Sequence, residues 1–226
     1  MIISNDLKSV YLSAPKTGSR TANAILKNYG TIVGDHLTAT ETLMACGRKI
    51  KDFNYQTVEN IYVFWRDPVD RFISAVNFLR ANRPVIIITK NPEWFREFDC
   101  SKLITTSNTG HQTFDYSLLT PEMCAAVKAI TPEQIFDAHI DAKMNNPNAS
   151  YAFLDKQSKW IQEGLNILDY ADFDANMRIV MDSFGVPANT AIPVLNSSES
   201  LTTSLSPELE AKVKAYYAED YQLKPA

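Results

Sequence analysis

The chain contains two places where a strand-like apolar run gives way, within a few residues, to a helix-like run. The first turn covers residues 15–21 (PKTGSRT), and the second starts at residue 66 (RDPVDRFIS). The start of a helix has backbone N–H groups without helical partners and carries the positive end of the helix dipole, so it favours a bound anion. Two such turns in one domain suit a nucleotide with phosphate groups at both ends.

The residues around the first turn predict a strand followed by a helix. Residues 10–14 (VYLSA) form a short β-favouring run, and residues 19–28 carry apolar side chains at helical spacing. This apolar stripe consists of Ala22, Ile25 and Leu26. The turn between the two runs is therefore expected to be a strand-to-helix loop.

The polar groups of this loop are suited to an anion. Gly18 lets the backbone approach a ligand closely, and Lys16 adds a positive charge. Ser19 and Thr21 supply hydroxyl groups. The alternative interpretation is a solvated lysine beside an ordinary capped helix.

The second turn follows residues 61–65 (IYVFW), a continuous apolar run typical of a strand buried on both faces. Arg66 stands at the carboxyl end of this run, and Asp67 and Pro68 have the residue types of a helix N-cap and a first helical position. The following helix is expected to bury Phe72, Val76 and Leu79.

Arg66 and Ser74 are the candidate phosphate ligands of the second turn. Arg71 and Ser74 share a helix face that differs from the apolar one. The guanidinium of Arg66 and the hydroxyl of Ser74 can therefore converge on one phosphate group. The alternative is that Arg66 pairs with Asp67 or Asp70 and that Ser74 has no special role.

Both turns resemble the nucleotide-binding motifs of sulfotransferases that use 3′-phosphoadenosine 5′-phosphosulfate (PAPS), in particular the carbohydrate and heparan-type branch. Residues 15–21 resemble the 5′-phosphosulfate loop, and Arg66 followed eight residues later by Ser74 resembles the 3′-phosphate motif. Weaker resemblance extends over residues 153–160, 195–197 and 217–221. The resemblance implies an α/β fold, a P-loop-like three-layer domain with a central, mainly parallel sheet flanked by helices. The length and the lack of a Gly/Ser-rich or charged linker predict a single domain over residues 1–226.

The resemblance implies a set of residues that bind PAPS. They are Lys16, Thr17, Gly18, Ser19, Arg20, Thr21, Arg66 and Ser74. Arg20 departs from the family pattern, which has a small hydroxyl residue at this position, and its role is left open. The Pro-Gln step of carbohydrate sulfotransferases is also missing, because Asp155 and Lys156 precede Gln157.

The expected reaction is in-line transfer of the sulfuryl group from PAPS to an acceptor hydroxyl, with release of 3′-phosphoadenosine 5′-phosphate (PAP). Such loose transition states are stabilised by positioning and electrostatics, and Lys16 is expected to face the departing 5′-phosphate. No metal is required. A carbohydrate is the expected acceptor, whereas an aromatic group of residues allows a lipid or phenol instead, or belongs to the core. This group is Trp94, Phe95, Phe98, Phe114 and Tyr116.

His36 is the leading candidate for the general base, because a neutral imidazole accepts a proton near neutral pH. Its segment, residues 34–37 (GDHL), resembles in placement the catalytic histidine of some heparan-type sulfotransferases. The alternatives are Glu41, His111 and Asp35. His139 lies inside a predicted helix and is interpreted as structural.

Composition limits the other possibilities. The formal net charge of −4 argues against broad nucleic-acid binding. Three cysteines without C-x-x-C spacing indicate buried thiols rather than disulfides or a zinc site. Neither a leader-like segment nor a membrane-span-length apolar run is found, so a cytoplasmic protein, as in a soluble microbial or viral family member, is expected. The two N-x-S sequons, at Asn148 and Asn196, are then chance matches.

Two other functions remain open on the sequence. A P-loop kinase or nucleotidase shares the strand-loop-helix arrangement, but the G-x-x-x-x-G-K-[ST] pattern is absent because no glycine stands at the required spacing before Lys16. A catalytically silent nucleotide-binding or partner-binding module on the same fold is the alternative from another class.

Several further elements are predicted from local signals. Thr38 with Glu41 forms a capping box for a helix ending near Gly47. Other helix starts lie at residues 120–121, 131–134, 174 and 206–207. A strand is suggested for residues 85–89 and a polar connection for residues 105–113, while the Ser/Thr-rich residues 196–206 are either an active-site loop or a linker.

Overall fold

The computed structural model describes residues 1–51, 53–106, 112–145, 151–195 and 199–225. The chain forms two compact units. The first comprises Met1–Arg71, Asp155–Asn196 and Ala211–Ala226, and the second comprises Phe72–Leu154 and Ser197–Glu210. The expectation of one domain over residues 1–226 stays a prediction. Both sequons include residues outside the described ranges.

The described residues contain seven strands in two sheets. The strands are β1 (Ile2–Ser4), β2 (Ser9–Leu12), β3 (Gly30–Ile32), β4 (Asn60–Trp65), β5 (Ile104–Thr106), β6 (Gln112–Phe114) and β7 (Asn166–Asp169). The first unit contains an open five-stranded sheet of order β3-β1-β2-β4-β7. Strands β2, β4 and β7 are parallel neighbours, whereas β1 pairs antiparallel with both β2 and β3. The expected parallel pairing is therefore found between β2, β4 and β7, whereas the pairs that include β1 are antiparallel.

Nine α-helices are described. They are α1 (Ser19–Leu26), α2 (Ala39–Lys49), α3 (Pro68–Asn82), α4 (Pro84–Lys90), α5 (Pro121–Ala129), α6 (Pro132–Asn145), α7 (Phe173–Ser183), α8 (Pro207–Tyr216) and α9 (Ala218–Tyr221).

Helices cover both faces of the five-stranded sheet. Side chains alternate between faces along each strand, so neighbouring residues enter different cores. On one face Tyr11 and Phe64 pack with apolar residues of α1 and α7. On the other, Leu12 and Val63 pack with α2 and with Trp160. The first unit is thus a mixed α/β structure in which helices flank an open sheet.

The second unit is built mainly from helices. The apolar face of α3 contributes Phe72, whose ring meets that of Phe136 on α6 at 5.7 Å between centroids. The expected core residues Phe72, Val76 and Leu79 are all buried. Strands β5 and β6 form a separate antiparallel pair.

Predicted helix starts are confirmed at the level of individual hydrogen bonds. The Thr38 and Glu41 side chains form a reciprocal capping box at the start of α2. Asp67 accepts hydrogen bonds from the amides of Val69 and Asp70 and so caps α3. At the start of α6, the Gln134 side chain accepts a hydrogen bond from the Thr131 amide, and the Thr131 hydroxyl oxygen accepts one from the Gln134 amide. Local side-chain chemistry thus sets these boundaries.

Other local predictions were wrong. The strand suggested for residues 85–89 is helix α4, which Pro84 starts at its first position and which buries Val85, Ile87 and Ile88. The polar connection over residues 105–113 begins and ends in strands. Cys46 is buried as expected, but Cys100 and Cys124 are half-buried, and all three are free thiols.

No helix in the described ranges is long and apolar enough to cross a membrane.

Two glycines adopt left-handed backbone conformations at helix ends of the first unit. Gly18 precedes α1 with φ 81°, and a Cβ there would lie 2.5 Å from Cε2 of Phe173. Gly185 follows α7 with φ 69°, and a Cβ there would meet nothing within 4 Å. A residue with a Cβ would therefore be strained at both positions but would clash only at position 18.

Substitution of Gly18 by alanine should destabilise the fold more than substitution of Gly185 by alanine. A left-handed conformation costs about 1–2 kcal/mol for a residue with a Cβ, and overpacking at Gly18 adds roughly 1–3 kcal/mol. The free energies of unfolding, measured by urea denaturation, test this difference. Equal losses for G18A and G185A would contradict the close packing of Phe173 on this turn.

Candidate functional site

The two predicted anion-binding turns lie at the same edge of the sheet. Strands β2 and β4 are parallel neighbours with Leu12 opposite Val63, so their carboxyl ends meet. Arg66 extends from the end of β4, and its Nη1 donates a hydrogen bond to the carbonyl oxygen of Lys16 at 3.1 Å. The structure therefore brings Lys16 and Arg66 together at the carboxyl edge of the strands.

The loop between β2 and α1 has a strained backbone. Lys16 has φ 67° and Gly18 has φ 81°, and both values lie in the left-handed region. The hydroxyl of buried Thr17 donates to the carbonyl oxygen of Ala14 at 2.9 Å. Because this bond uses the single hydroxyl proton, Thr17 braces the loop rather than offering a donor to a ligand.

The start of α1 provides the other donors of the site. Its N-cap residue, Gly18, forms no side-chain capping hydrogen bond. Ser19 is half-buried, Arg20 is exposed and Thr21 is buried. The backbone N–H groups at this end are of the kind that bind phosphate oxygens.

Positive charges accumulate around the loop. Burial, with smaller contributions from the charges of Arg66 and Arg20, lowers the pKa of Lys16 to about 8. Arg66 and Arg20 are therefore close enough to Lys16 to act on its charge. A bound anion would relieve the repulsion and raise the pKa of Lys16. Arg20, whose role the sequence left open, belongs to this cluster by its electrostatic effect.

A buried glutamine fixes the backbone of Arg66. The Gln157 side chain accepts a hydrogen bond from the Arg66 amide at 2.9 Å and donates one to the Arg66 carbonyl oxygen at 2.7 Å. The Asp220 carboxylate in turn accepts hydrogen bonds from the amides of Gln157 and Ser158. Both Gln157 and Asp220 are fully buried. Gln157 therefore acts on the site through Arg66.

Within the described residues, Arg66 does not form the ion pair with Asp67 or Asp70 that the alternative interpretation required. Asp67 serves as the cap of α3, and among the described residues neither Asp67 nor Asp70 forms an ion pair with Arg66. The Arg66 guanidinium instead lies over the ring of Tyr170, 4.7 Å from its centroid. Burial lowers the pKa of Arg66, but a guanidinium remains charged at any ordinary pH.

An aromatic wall that the sequence did not indicate adjoins the loop. Tyr170 and Phe173 lie with their ring centroids 5.2 Å apart, and both rings face the position of a Cβ on Gly18. This wall shows why position 18 needs a glycine. No sequence motif predicts that these two residues adjoin the loop, because they lie about 150 positions from it along the chain.

A buried arginine next to the site illustrates ordinary charge compensation. Arg71 donates from Nη2 to the carbonyl oxygen of Asp155 at 2.7 Å, and the same atom lies 3.9 Å from the Asp220 carboxylate. Its guanidinium also lies over the ring of Tyr217. Arg71 therefore has carbonyl, carboxylate and aromatic partners inside the fold.

His36 is attached to the same loop. Its Nδ1 lies 2.8 Å from the carbonyl oxygen of Ser13, which can only accept a hydrogen bond, so Nδ1 carries the proton. In the neutral ring the basic lone pair is then on Nε2. Trp160 donates from Nε1 to the backbone oxygen of His36, whose φ of 50° is left-handed. The imidazole is held with its basic nitrogen directed away from the loop carbonyl.

The alternative bases occupy different settings. The Glu41 carboxylate accepts a hydrogen bond from the Thr38 amide in the capping box, and this bond lowers its pKa. Asp35 is largely exposed, with Oδ1 3.6 Å from Nε2 of His36. His111 lies outside the described residues. His139 is fully buried on α6, as expected for a structural histidine.

Ser74 and the candidate acceptor aromatics belong to the second unit. Ser74 is half-buried on α3, and its convergence with Arg66 stays a prediction. Phe95 is a core residue, whereas Phe114 and Tyr116 are exposed by 36% and 40%. Tyr116 accepts a hydrogen bond from Arg83 at 2.9 Å. Trp94 and Phe98 are half-buried.

Within the described part of the chain, no group of three or more His, Cys, Asp and Glu side chains could hold a metal ion. Comparisons of the chain with models of protein families, with curated proteins and with solved structures find no significant match.

Removal of a neighbouring positive charge should raise the pKa of Lys16. We expect the largest increase from about 8 in R66M and a smaller one in R20Q, because Arg66 exerts the stronger electrostatic effect. NMR titration of the lysine side-chain resonances measures it. Arg48 is exposed on α2, and R48Q serves as the control that should leave the Lys16 pKa unchanged. A Lys16 pKa that stays the same in R66M would contradict the cation cluster.

Proposed function

We propose that the chain is a PAPS-dependent sulfotransferase that transfers the sulfuryl group to an acceptor hydroxyl and releases PAP. The observation that carries the proposal is the cation cluster of Lys16, Arg20 and Arg66 at the start of α1, whose N-cap residue is Gly18. Such a cluster in a strand-to-helix turn favours a polyanionic ligand. The P-loop-like relationship of this turn is part of the proposal.

The donor would lie with its 5′-phosphosulfate against the loop. Lys16 and the first amides of α1 would contact the phosphate oxygens, with Ser19 and Arg20 beside them. Arg66 would bind the 3′-phosphate together with Ser74, as the resemblance implies. The anion would raise the pKa of Lys16, so that the amine stays protonated when charge develops on the leaving group.

The reaction would proceed by in-line displacement. The acceptor oxygen forms a bond to sulfur while the bond from sulfur to the 5′-phosphate oxygen breaks, and the electron pair of that bond leaves with PAP. Nε2 of His36 takes the acceptor proton. Lys16 neutralises the charge that grows on the departing phosphate. This scheme requires no metal.

The acceptor and the setting follow from the sequence alone. The resemblance to the carbohydrate branch favours a sugar hydroxyl as the acceptor, and a cytoplasmic location is part of the proposal. A P-loop kinase or a silent binding module gives different results in the binding and transfer experiments below.

PAP should raise the melting temperature of the chain more than ADP or ATP with magnesium does. A ligand at a hundred times its dissociation constant stabilises the folded state by about 2.7 kcal/mol. Transfer from PAPS to a panel of carbohydrate acceptors should then fall about a hundredfold or more in K16A, because a transition-state contact is lost. Lys27 is exposed just beyond α1, and K27A is the matched control that should retain activity.

A stronger response to ATP with magnesium would support the kinase instead. A preference for PAP without transfer to any acceptor would indicate the silent module. Near-normal turnover of K16A would remove Lys16 from the leaving-group role.

Replacement of His36 by alanine should lower kcat about a hundredfold or more and remove the acidic limb of its pH dependence, since the group that must be deprotonated is lost. E41Q provides the matched control, because glutamine can still accept the Thr38 amide bond and the acidic limb should persist. An unchanged limb and rate in H36A would place the base elsewhere.

A further inference from the structure

The Ser/Thr-rich segment before α8 lines a cleft in the second unit. The cleft has a volume of about 330 Å³. Its lining comprises residues 201–206 together with Pro132, Glu133 and Leu209. Most of the polar lining groups are hydroxyls. The proposed transfer reaction gives this segment no role.

A buried cation lies behind the wall of this cleft. Arg80 is only 9% exposed, and its Nη1 donates to the hydroxyl oxygen of Thr202 at 2.9 Å. Its Nη2 donates to the carbonyl oxygen of Lys128. Nε is buried and has no hydrogen-bond partner among the described residues. The described ranges also place no carboxylate in an ion pair with Arg80.

This combination is unusual for a guanidinium in a protein interior. A buried charge is ordinarily paired with an opposite charge, because desolvation without compensation is costly. Arg71 of the first unit has such compensation, whereas Arg80 has only neutral oxygen partners. An anion near Arg80 would supply the missing charge.

Thr202 lines the cleft and also accepts the hydrogen bond from this cation. Asn77 donates to the Thr202 carbonyl oxygen at 2.8 Å and accepts from the Thr202 amide at 3.0 Å, which fixes the residue at both ends. The Thr202 oxygen accepts from Arg80, so the hydroxyl proton is available for an acceptor in the cleft. The adjacent guanidinium polarises this hydroxyl and makes it a stronger donor.

Glu133 is the opposing charge in the lining. Its carboxylate accepts a hydrogen bond from the Ser206 hydroxyl at 3.1 Å, and that hydroxyl oxygen caps α8 by accepting from the Leu209 amide. Glu133 is thus engaged at the Ser206 side of the cleft, while Arg80 lies behind Thr202.

We propose that this cleft binds a tetrahedral oxyanion, a sulfate or phosphate group, through the Thr202 hydroxyl backed by Arg80. The group is either a free inorganic ion or a substituent on a sugar. This site belongs to the second unit, whereas the loop that contains Lys16 belongs to the first unit.

Binding to the full-length chain can be localised by NMR. The K16A variant removes one cation of the other anion site and so weakens binding there. In this variant, titration with sodium sulfate, at ionic strength held constant with chloride, should shift the amide resonances of Thr203 and Ser204. Glucose 6-sulfate and glucose are titrated in parallel. Tighter binding of glucose 6-sulfate than of sulfate would assign the group to a sugar, and the reverse order would assign it to the free ion.

Two substitutions at one position separate binding from folding. T202V removes the hydroxyl at nearly constant shape and should weaken sulfate binding about tenfold, the effect expected for a charge-assisted hydrogen bond. T202S retains the hydroxyl and should bind within about twofold of the parent, in line with the same hydrogen-bond estimate. Melting temperatures show that each variant is folded.

Equal sulfate affinity of T202V and T202S would overturn the proposal. So would the absence of any sulfate-dependent shift at Thr203 and Ser204 in K16A, or binding of glucose as strong as that of glucose 6-sulfate.

Discussion

Parallel pairing of β2 with β4 is the constraint on which the candidate site depends. With Leu12 opposite Val63, the loop after β2 and Arg66 after β4 emerge at one edge of the sheet. A register shift of two residues would displace Arg66 by about 7 Å along the strand and break its bond to the Lys16 carbonyl oxygen. A shift of one residue would exchange the two buried faces, which the cores on both sides of the sheet oppose.

The surroundings of Arg71 differ from those of Lys16. Arg71 is buried with a carbonyl oxygen, a carboxylate and an aromatic ring, so its charge is compensated within the protein. The charges that act most strongly on Lys16 are positive, and they come from a different strand and from the first turn of α1. Rigid packing of Arg66 through Gln157 and Asp220 keeps this repulsive arrangement in place. The clustering of Lys16, Arg20 and Arg66 favours a ligand-binding role for these three residues.

Local signals predicted local structure well. Caps such as Thr38 and Asp67 and the apolar stripes of α1 and α3 depend on residues within one or two turns, so they can be identified in the sequence. The residues that hold Arg66 cannot be identified in this way. Gln157 lies 91 positions from Arg66 along the chain, and Asp220 lies a further 63 positions on. Helix α4 was mistaken for a strand because its run of β-branched residues favours strands locally, while burial in the second unit selects the helix.

The loop between β2 and α1 organises the site through its carbonyl groups as well as its amides. The Ser13 oxygen holds Nδ1 of His36, and the Lys16 oxygen holds Nη1 of Arg66. The left-handed conformation of Lys16 turns the backbone, so the peptide groups before and after it have different orientations. The carbonyl oxygens of this short segment can therefore bind one set of groups while the amides at the start of α1 bind another. A candidate base and a candidate phosphate ligand are therefore both attached to the backbone that would bind the reacting group. Movement of this loop would displace both together, so in the proposed reaction proton transfer and 3′-phosphate binding would both depend on the conformation of a single turn.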